Sequence, residues 1–339
     1  MPTARLPRIL RCMLIGMLAA VPVTAGAVDF KIATLAPDGT VWMQEMRTGA
    51  EEIARRTAGR VNFKFYPGGS MGSDRGVLRK IRAGQLHGGA LTGGALADVH
   101  PDTQIYSLPF LFRSYEELDY VRARMDKTFA RLIEERGFVT FGFTDGGFAY
   151  IMSSQPTRGI ADLRTQKVWI PEGDDISHAL FNTLGISPVP LPLTDVLTGL
   201  QTGLITTVAS SPVGAIALQW HGKVKYVADV PTLYVYGTLA IDKKSYNRLS
   251  PADQQVMREV MERVFASLNR QTRVDDRNAR DALRKEGIEF QVLSAEELAK
   301  LHAAADQTIE RLAGQQAFST ALLRQLQGHV AAYRRTAGR

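Results

Sequence analysis

Apolar positions along this chain switch period again and again, and each switch predicts a change of element. From Arg60 to Tyr66 the apolar Val61, Phe63 and Phe65 alternate with polar neighbours, the pattern of a half-buried strand. Residues 29–34 form another strand, closed by the turn residues Pro37, Asp38 and Gly39. Trp42, Met46 and Ile53 instead fall on one stripe, which predicts a helix over 41–58 with Thr40 as its cap and Gly59 as its stop. Asp74 opens a second helix that stops at Gly84, and Ser114-Tyr115-Glu116-Glu117 is a capping box for a third that ends at Gly137, before a strand over 138–143. Alternation of this kind predicts an α/β domain with a largely parallel sheet.

A second series follows Tyr150, with strands over 167–170, 189–191 and 205–210 and helices over 176–184 and 195–201. Two similar α/β lobes are expected. Ser250-Pro251-Ala252-Asp253 then supplies a cap, a proline at the first helical position and an early acid, with no breaker before Gly287. At about 1.5 Å per residue such a helix is roughly 50 Å long. Its apolar first half (Val256, Met257, Val260, Met261, Val264, Phe265, Leu268) and charged second half suit a rod lying across both lobes. A pair of shorter helices meeting near Arg273 is the alternative. The expected division is 28–147 with 236–262 as lobe 1, and 148–235 with 263–339 as lobe 2.

The first 27 residues follow another rule. Arg5, Arg8 and Arg11 precede the apolar run from Cys12 to Val21, and Ala25-Gly26-Ala27 ends the segment, as in a secretory signal peptide. That run is about half the length that a membrane span requires, so a periplasmic protein without membrane insertion is expected. The chain's 41 basic and 34 acidic residues become 38 and 34 once the three leader arginines are removed, a net +4 spread along the chain. So weak an imbalance argues against a nucleic-acid surface. Cys12 is the single cysteine and lies in the leader, which leaves the mature chain neither a disulfide nor a lipid anchor.

Catalytic signals are poor. Gly68-Gly69-Ser70-Met71-Gly72 matches the G-x-S-x-G elbow, but Pro67 and Gly72-Ser73-Asp74 keep Ser70 away from a direct strand-to-helix passage. The six histidines have no metal-ligand spacing, and the glycines at 88, 89, 93 and 94 lack a phosphate-loop lysine. No metal, cofactor or enzymatic activity is expected. Open α/β sheets hold ligands beyond the carboxyl ends of their strands. Here those ends are 34–38, 68–74, 92–94, 148–150, 169–172, 210–212 and 234–237, rich in aromatics and hydroxyls and suited to holding a molecule.

These same segments resemble the solute-binding subunits of tripartite ATP-independent periplasmic (TRAP) transporters, the DctP-like family. The marks are Thr57-Ala58-Gly59-Arg60-Val61, Tyr66-Pro67-Gly68-Gly69, Met71-Gly72-Ser73-Asp74-Arg75, Ser107-Leu108-Pro109-Phe110-Leu111-Phe112, Asp162-Leu163-Arg164, Leu200-Gln201-Thr202-Gly203 and Leu249-Ser250-Pro251-Ala252-Asp253-Gln254. The resemblance spans about 30–290. It implies a periplasmic binding protein-like fold of two α/β lobes joined by hinge strands and a long helix. It also implies a small-molecule ligand in the inter-lobe cleft and TRAP integral membrane subunits as partners. A monomer is expected.

Members usually carry an arginine after the Lys-hydrophobic pair near 167, forked onto a ligand carboxylate. This chain has Trp169 there, Phe148 at a second basic position and Ser211 in place of an asparagine. The carboxylate clamp is therefore missing. The candidate ligand-binding residues are Trp169, Phe148, Tyr150, Tyr236 and Trp42 as walls, Ser73, Thr92, Ser210 and Ser211 as hydroxyls, and Asp38, Asp74 and Glu172 as carboxylates. Asp174 or Asp175 is expected to cap the following helix, and Arg75, Arg79 and Arg82 to form a solvated face. A binding protein serving a signalling receptor, or a hydrolase using Ser70, are the competing readings.

Overall fold

The computed structural model describes residues 27–337; the signal-peptide assignment, except for Ala27, and Cys12 lie outside the described residues. Eleven strands are described: β1 Val28–Thr34, β2 Val61–Tyr66, β3 Gly88–Thr92, β4 Phe138–Val139, β5 Thr144–Ser153, β6 Trp169–Pro171, β7 Val189–Leu191, β8 Thr207–Ser210, β9 Tyr226–Ala228, β10 Leu233–Asp242 and β11 Glu289–Gln291. The continuous order is β11-β9-β5-β10-β3-β1-β2, with β4 on β10 and β8 on β5. β1 lies parallel to β2 and β3, but β10 runs antiparallel to β3, β4 and β5, and β5 antiparallel to β8 and β9, so the sheet is mixed where the alternation predicted a largely parallel one: the two long strands shared by the lobes return against their neighbours. The parallel pair β6-β7 joins β8 through a bridge between Val168 and Thr207.

Two long strands divide their pairing between the lobes. Thr144 to Ala149 of β5 pairs with β10, while Tyr150 to Ser153 pairs with β8 and β9. β10 in turn pairs through Gly237 to Ile241 with β3. The molecule thus has two α/β lobes with β5 and β10 as the strands between them. The register shifts between Val235 and Tyr236, opposite Gly146, so the ladder is bulged at the crossing. Here the sequence expectation needs correction. The strand expected over 138–143 is confined to β4, because Gly142 at φ +124° turns the chain. The strand end expected at 148–150 lies inside β5.

Pro251–Lys285 is one uninterrupted helix of 35 residues, without a break near Arg273. Met257, Val260, Met261 and Phe265 pack with Phe30, Ile32, Met46 and Ile53 under lobe 1, and Leu283 packs with Val208, Trp169 and Trp220 under lobe 2. Each lobe carries a second apolar layer on the other face of its sheet. The last helix, Thr320–Ala337, buries Leu323, Leu326 and Val330 in the layer that holds Leu118, Val121 and Met125 of helix Tyr115–Glu135. The end of the chain therefore packs on the Tyr115–Glu135 helix of lobe 1, in a layer that Ile309 and Leu312 also join. No helix of the described residues is long and apolar enough to cross a membrane.

Candidate functional site

A cavity of about 760 Å³ lies between the lobes, and its walls come from both. Its position follows from local chain chemistry. Thr40, Ser73, Thr92, Asp174 and Ser211 each cap the helix that follows a strand, and each accepts a hydrogen bond from an amide of that helix's first turn. All five caps line the cavity. Helix N-termini with their partial positive charge therefore converge on it from both sides.

Nine of the twelve candidate residues line this space: Trp42, Ser73, Asp74, Thr92, Trp169, Glu172, Ser210, Ser211 and Tyr236. Three do not. Thr144, Asp145 and Gly146 of β5 line the cavity up to the bulge, and beyond it Ala149 and Ile151 do; strand alternation past the bulge therefore turns Phe148 and Tyr150 to the opposite face. Phe148 is buried against Tyr115 and Tyr234, with ring centroids 5.0 and 6.0 Å away. Tyr150 lies beneath the Arg280 guanidinium at 5.0 Å. Asp38 is exposed in its turn and pairs with Arg47 at 2.6 Å. Sequence reasoning also missed Gln104 and Ser107 in the short helical segment Pro101–Ser107, Phe110 just beyond it, and Thr272 and Asp275 on the long helix. No local motif marks these positions, which tertiary packing brings to the cavity.

Trp169 is wall and core together. It is 3% exposed, its Nε1 donates to the Leu191 carbonyl at 3.0 Å, and its ring meets Trp220 edge-on at 5.3 Å. With its N–H already engaged, it offers a ligand surface and no donor. Tyr236 is similar, since its hydroxyl donates to the Thr103 carbonyl and Gly93 packs flat on its ring. A Cβ on Gly93 would lie 2.4 Å from a ring carbon, so only glycine allows this approach.

Arg75 is the single basic side chain lining the cavity among the described residues, and its Nε and Nη2 fork onto Asp98 at 2.8 and 3.2 Å. Arg75 keeps 42% of its side-chain surface exposed, as expected of a solvated helix face, and borders the cavity as well. Against it stand Asp74, Asp145, Glu172, Asp174, Asp175 and Asp275. Asp145 is neutralised from behind by Arg122 at 2.6 Å and Arg273 at 2.7 Å. Asp74 accepts from the Thr92 amide and hydroxyl, yet burial pushes its carboxyl above the ordinary range. Burial raises Asp174 too, against its bonds from the Ser177 hydroxyl and amide, which are its capping bonds. The cleft is thus acidic and hydroxyl-rich and has no free guanidinium. Ser70 is exposed in the turn after β2, outside the cavity lining.

The family model for bacterial extracellular solute-binding proteins, family 7 (DctP), matches residues 32–316. The chain is 25% identical over 218 residues to the protein YiiZ of Salmonella typhimurium, covering 61% of this chain and 64% of that protein. To the C4-dicarboxylate-binding periplasmic protein DctP of Rhodobacter capsulatus it is 25% identical over 260 residues, 74% of this chain and 76% of the other. Among solved structures, the sugar acid binding protein DctPAm of Advenella mimigardefordensis, in complex with galactonate, superposes with a TM-score of 0.84 at 17% identity. That match covers 91% of this chain and 99% of that one.

Proposed function

This chain belongs to the bacterial extracellular solute-binding proteins of family 7, and from that premise we propose that it captures a small organic molecule between its lobes and delivers it to a TRAP-type membrane permease. Export by the leader at 1–27 and work in the periplasm as a monomer belong to the same reading. So does the division into lobes at the β5 and β10 crossing. Two of the proteins named above bind organic acids, a C4-dicarboxylate and galactonate. In this chain the arrangement favours a different mode of capture. Trp169 stands where the family resemblance puts a clamp arginine, and Arg75 is already forked onto Asp98. A ligand carboxylate would meet helix N-termini and hydroxyls, with Asp74, Glu172 and Asp175 around it.

The observation that carries the proposal is the cavity shared by both lobes and ringed by five helix caps. Its chemistry suits a ligand whose polar end is an uncharged hydrogen-bonding group more than a dicarboxylate. Calorimetric titration and melting shifts with a metabolite panel that pairs acids with their uncharged counterparts test this. Saturable 1:1 binding is expected, with the uncharged member of a pair bound at least as tightly. Absence of any melting shift, with no change of radius in solution scattering, would count against capture. Tight binding of dicarboxylates alone would count against the clamp-free mode.

A further inference from the structure

On the reading just given, we infer that the cavity continues into a second, apolar chamber inside lobe 2 that takes the alkyl tail of an amphiphilic ligand whose polar head stays in the cleft. The lining of the cavity does not stop at the strand ends. It includes Ile151, Ile170, Leu180, Phe181, Leu293 and Leu301, which belong to the layer between the lobe 2 sheet and helices Asp175–Thr183 and Ala295–Gly314. Ile151, Leu180, Phe181, Leu293 and Leu301 keep 7–9% of their surface and Ile170 2%, while Phe30, Ile32, Val260 and Met261 under lobe 1 keep none. All six border the cavity.

The walls of the chamber are almost wholly aliphatic, with Phe181 the one ring among those six. At its junction with the cleft stands Phe110, held at φ +56° by a bond from its amide to the Thr232 carbonyl at 2.6 Å, its ring 4.9 Å from that of His302. A non-glycine residue in the left-handed region is strained, and here the conformation sets the ring against both the cleft and the chamber. An apolar void costs stability in proportion to its volume and stays dry. What offsets that cost is an apolar occupant. The full volume of about 760 Å³ is in the upper part of the range for ligand pockets, roughly 300–1,000 Å³, ample for a polar head and a medium-length chain.

The test titrates the mature protein with two homologous series from four to ten carbons, 1,2-alkanediols with an uncharged head and 2-hydroxyalkanoates with an acidic one. The dissociation constant is expected to fall about fourfold per added methylene in the diol series and to level off once the chamber is full. Ala209→Ile places a larger side chain on the cavity wall and should flatten that dependence. If this variant does not fold, the series on the unaltered chain decides alone. Butyl members that bind with no gain from longer chains overturn the chamber and leave capture in the cleft standing. A gain that persists undiminished in folded Ala209→Ile also overturns it. No binding by either series or by any compound of the metabolite panel overturns both.

Discussion

Trp169 answers two demands with one side chain. Its burial, its bond to Leu191 and its edge-on contact with Trp220 make it part of the lobe 2 core, while one surface borders the cavity. Trp169→Ala should therefore lower both the urea midpoint, by the equivalent of about 3–5 kcal/mol, and ligand affinity. Loss of affinity with an unchanged midpoint would show a wall residue with no structural part. Asp276 makes a pH prediction at the same scale. It lies on the long helix, accepts from the Val213 amide at 3.3 Å and has Arg280 and Arg277 near, but burial dominates and pushes its carboxyl from 3.8 up to about 6. The native state then holds a proton that the unfolded chain releases between about pH 4 and 6, so this group makes stability fall as pH rises through that window. Above it the cost is about 3 kcal/mol. Asp276→Asn retains an acceptor for Val213 and should be more stable than the parent at pH 7.5, with the difference vanishing near pH 4. A constant difference across thermal melts from pH 4 to 7.5 would refute the titration.

Among the elements, what is local was legible and what is not local was not. The caps Thr40, Ser114 and Ser250 each accept from an amide in the turn they start, so a few adjacent residues mark each of these helices. The same locality exposed most of the cleft, since the caps Ser73, Thr92 and Ser211 line it. β5 escaped because its length depends on β10, β8 and β9, far away in sequence, and because the bulge at Gly146 is set by its partner. Once β5 runs through, parity alone removes Phe148 and Tyr150 from the cleft. The anchoring of β5 was equally hidden. Asp145, its side chain wholly buried, joins Arg122 on helix Tyr115–Glu135 to Arg273 on the long helix, and the Tyr234 hydroxyl donates to the same carboxylate. Truncating one partner leaves a buried charge unpaired, so Arg122→Ala should cost about 3–5 kcal/mol in chemical denaturation. A loss below about 1 kcal/mol would mean that Arg273 alone satisfies Asp145. Where helix Val41–Arg56 crosses the long helix, Gly49 admits Val264, and an added Cβ would lie 2.7 Å from its Cγ2. Gly49→Ala should be destabilising, and Val264→Ala in the same chain should recover part of the loss. Equal loss with and without Val264 would remove this contact as the cause.

Across the whole molecule the lobes already touch at the mouth of the cleft, which bears on how a bound solute is retained. The Arg75 guanidinium of lobe 1 forks onto Asp98 and lies over Gly173 of lobe 2, where a Cβ would come within 2.2 Å of Nη2. Its charge is favoured first by the Asp98 bonds and further by Glu172 and Asp175 across the gap. Nearby, a Cβ on Gly69 would lie 2.7 Å from Cγ2 of Thr194. Arg75, held by Asp98 within lobe 1, thus packs on Gly173 of lobe 2 and faces Glu172 and Asp175 across the gap. It is partly exposed, and exposed ion pairs contribute roughly 0–1 kcal/mol. Arg75→Ala should then weaken ligand binding by no more than about fivefold, through faster dissociation and with less effect at high salt. Gly173→Ala brings two separate penalties, a non-glycine residue at φ +79° and a clash with the guanidinium. In the double variant the clash disappears and the backbone strain remains, so the two substitutions should be less than additive in dissociation rate. Strict additivity, or an Arg75→Ala dissociation rate equal to the parent's in stopped-flow measurements, would show that the lobes hold their guest without this contact.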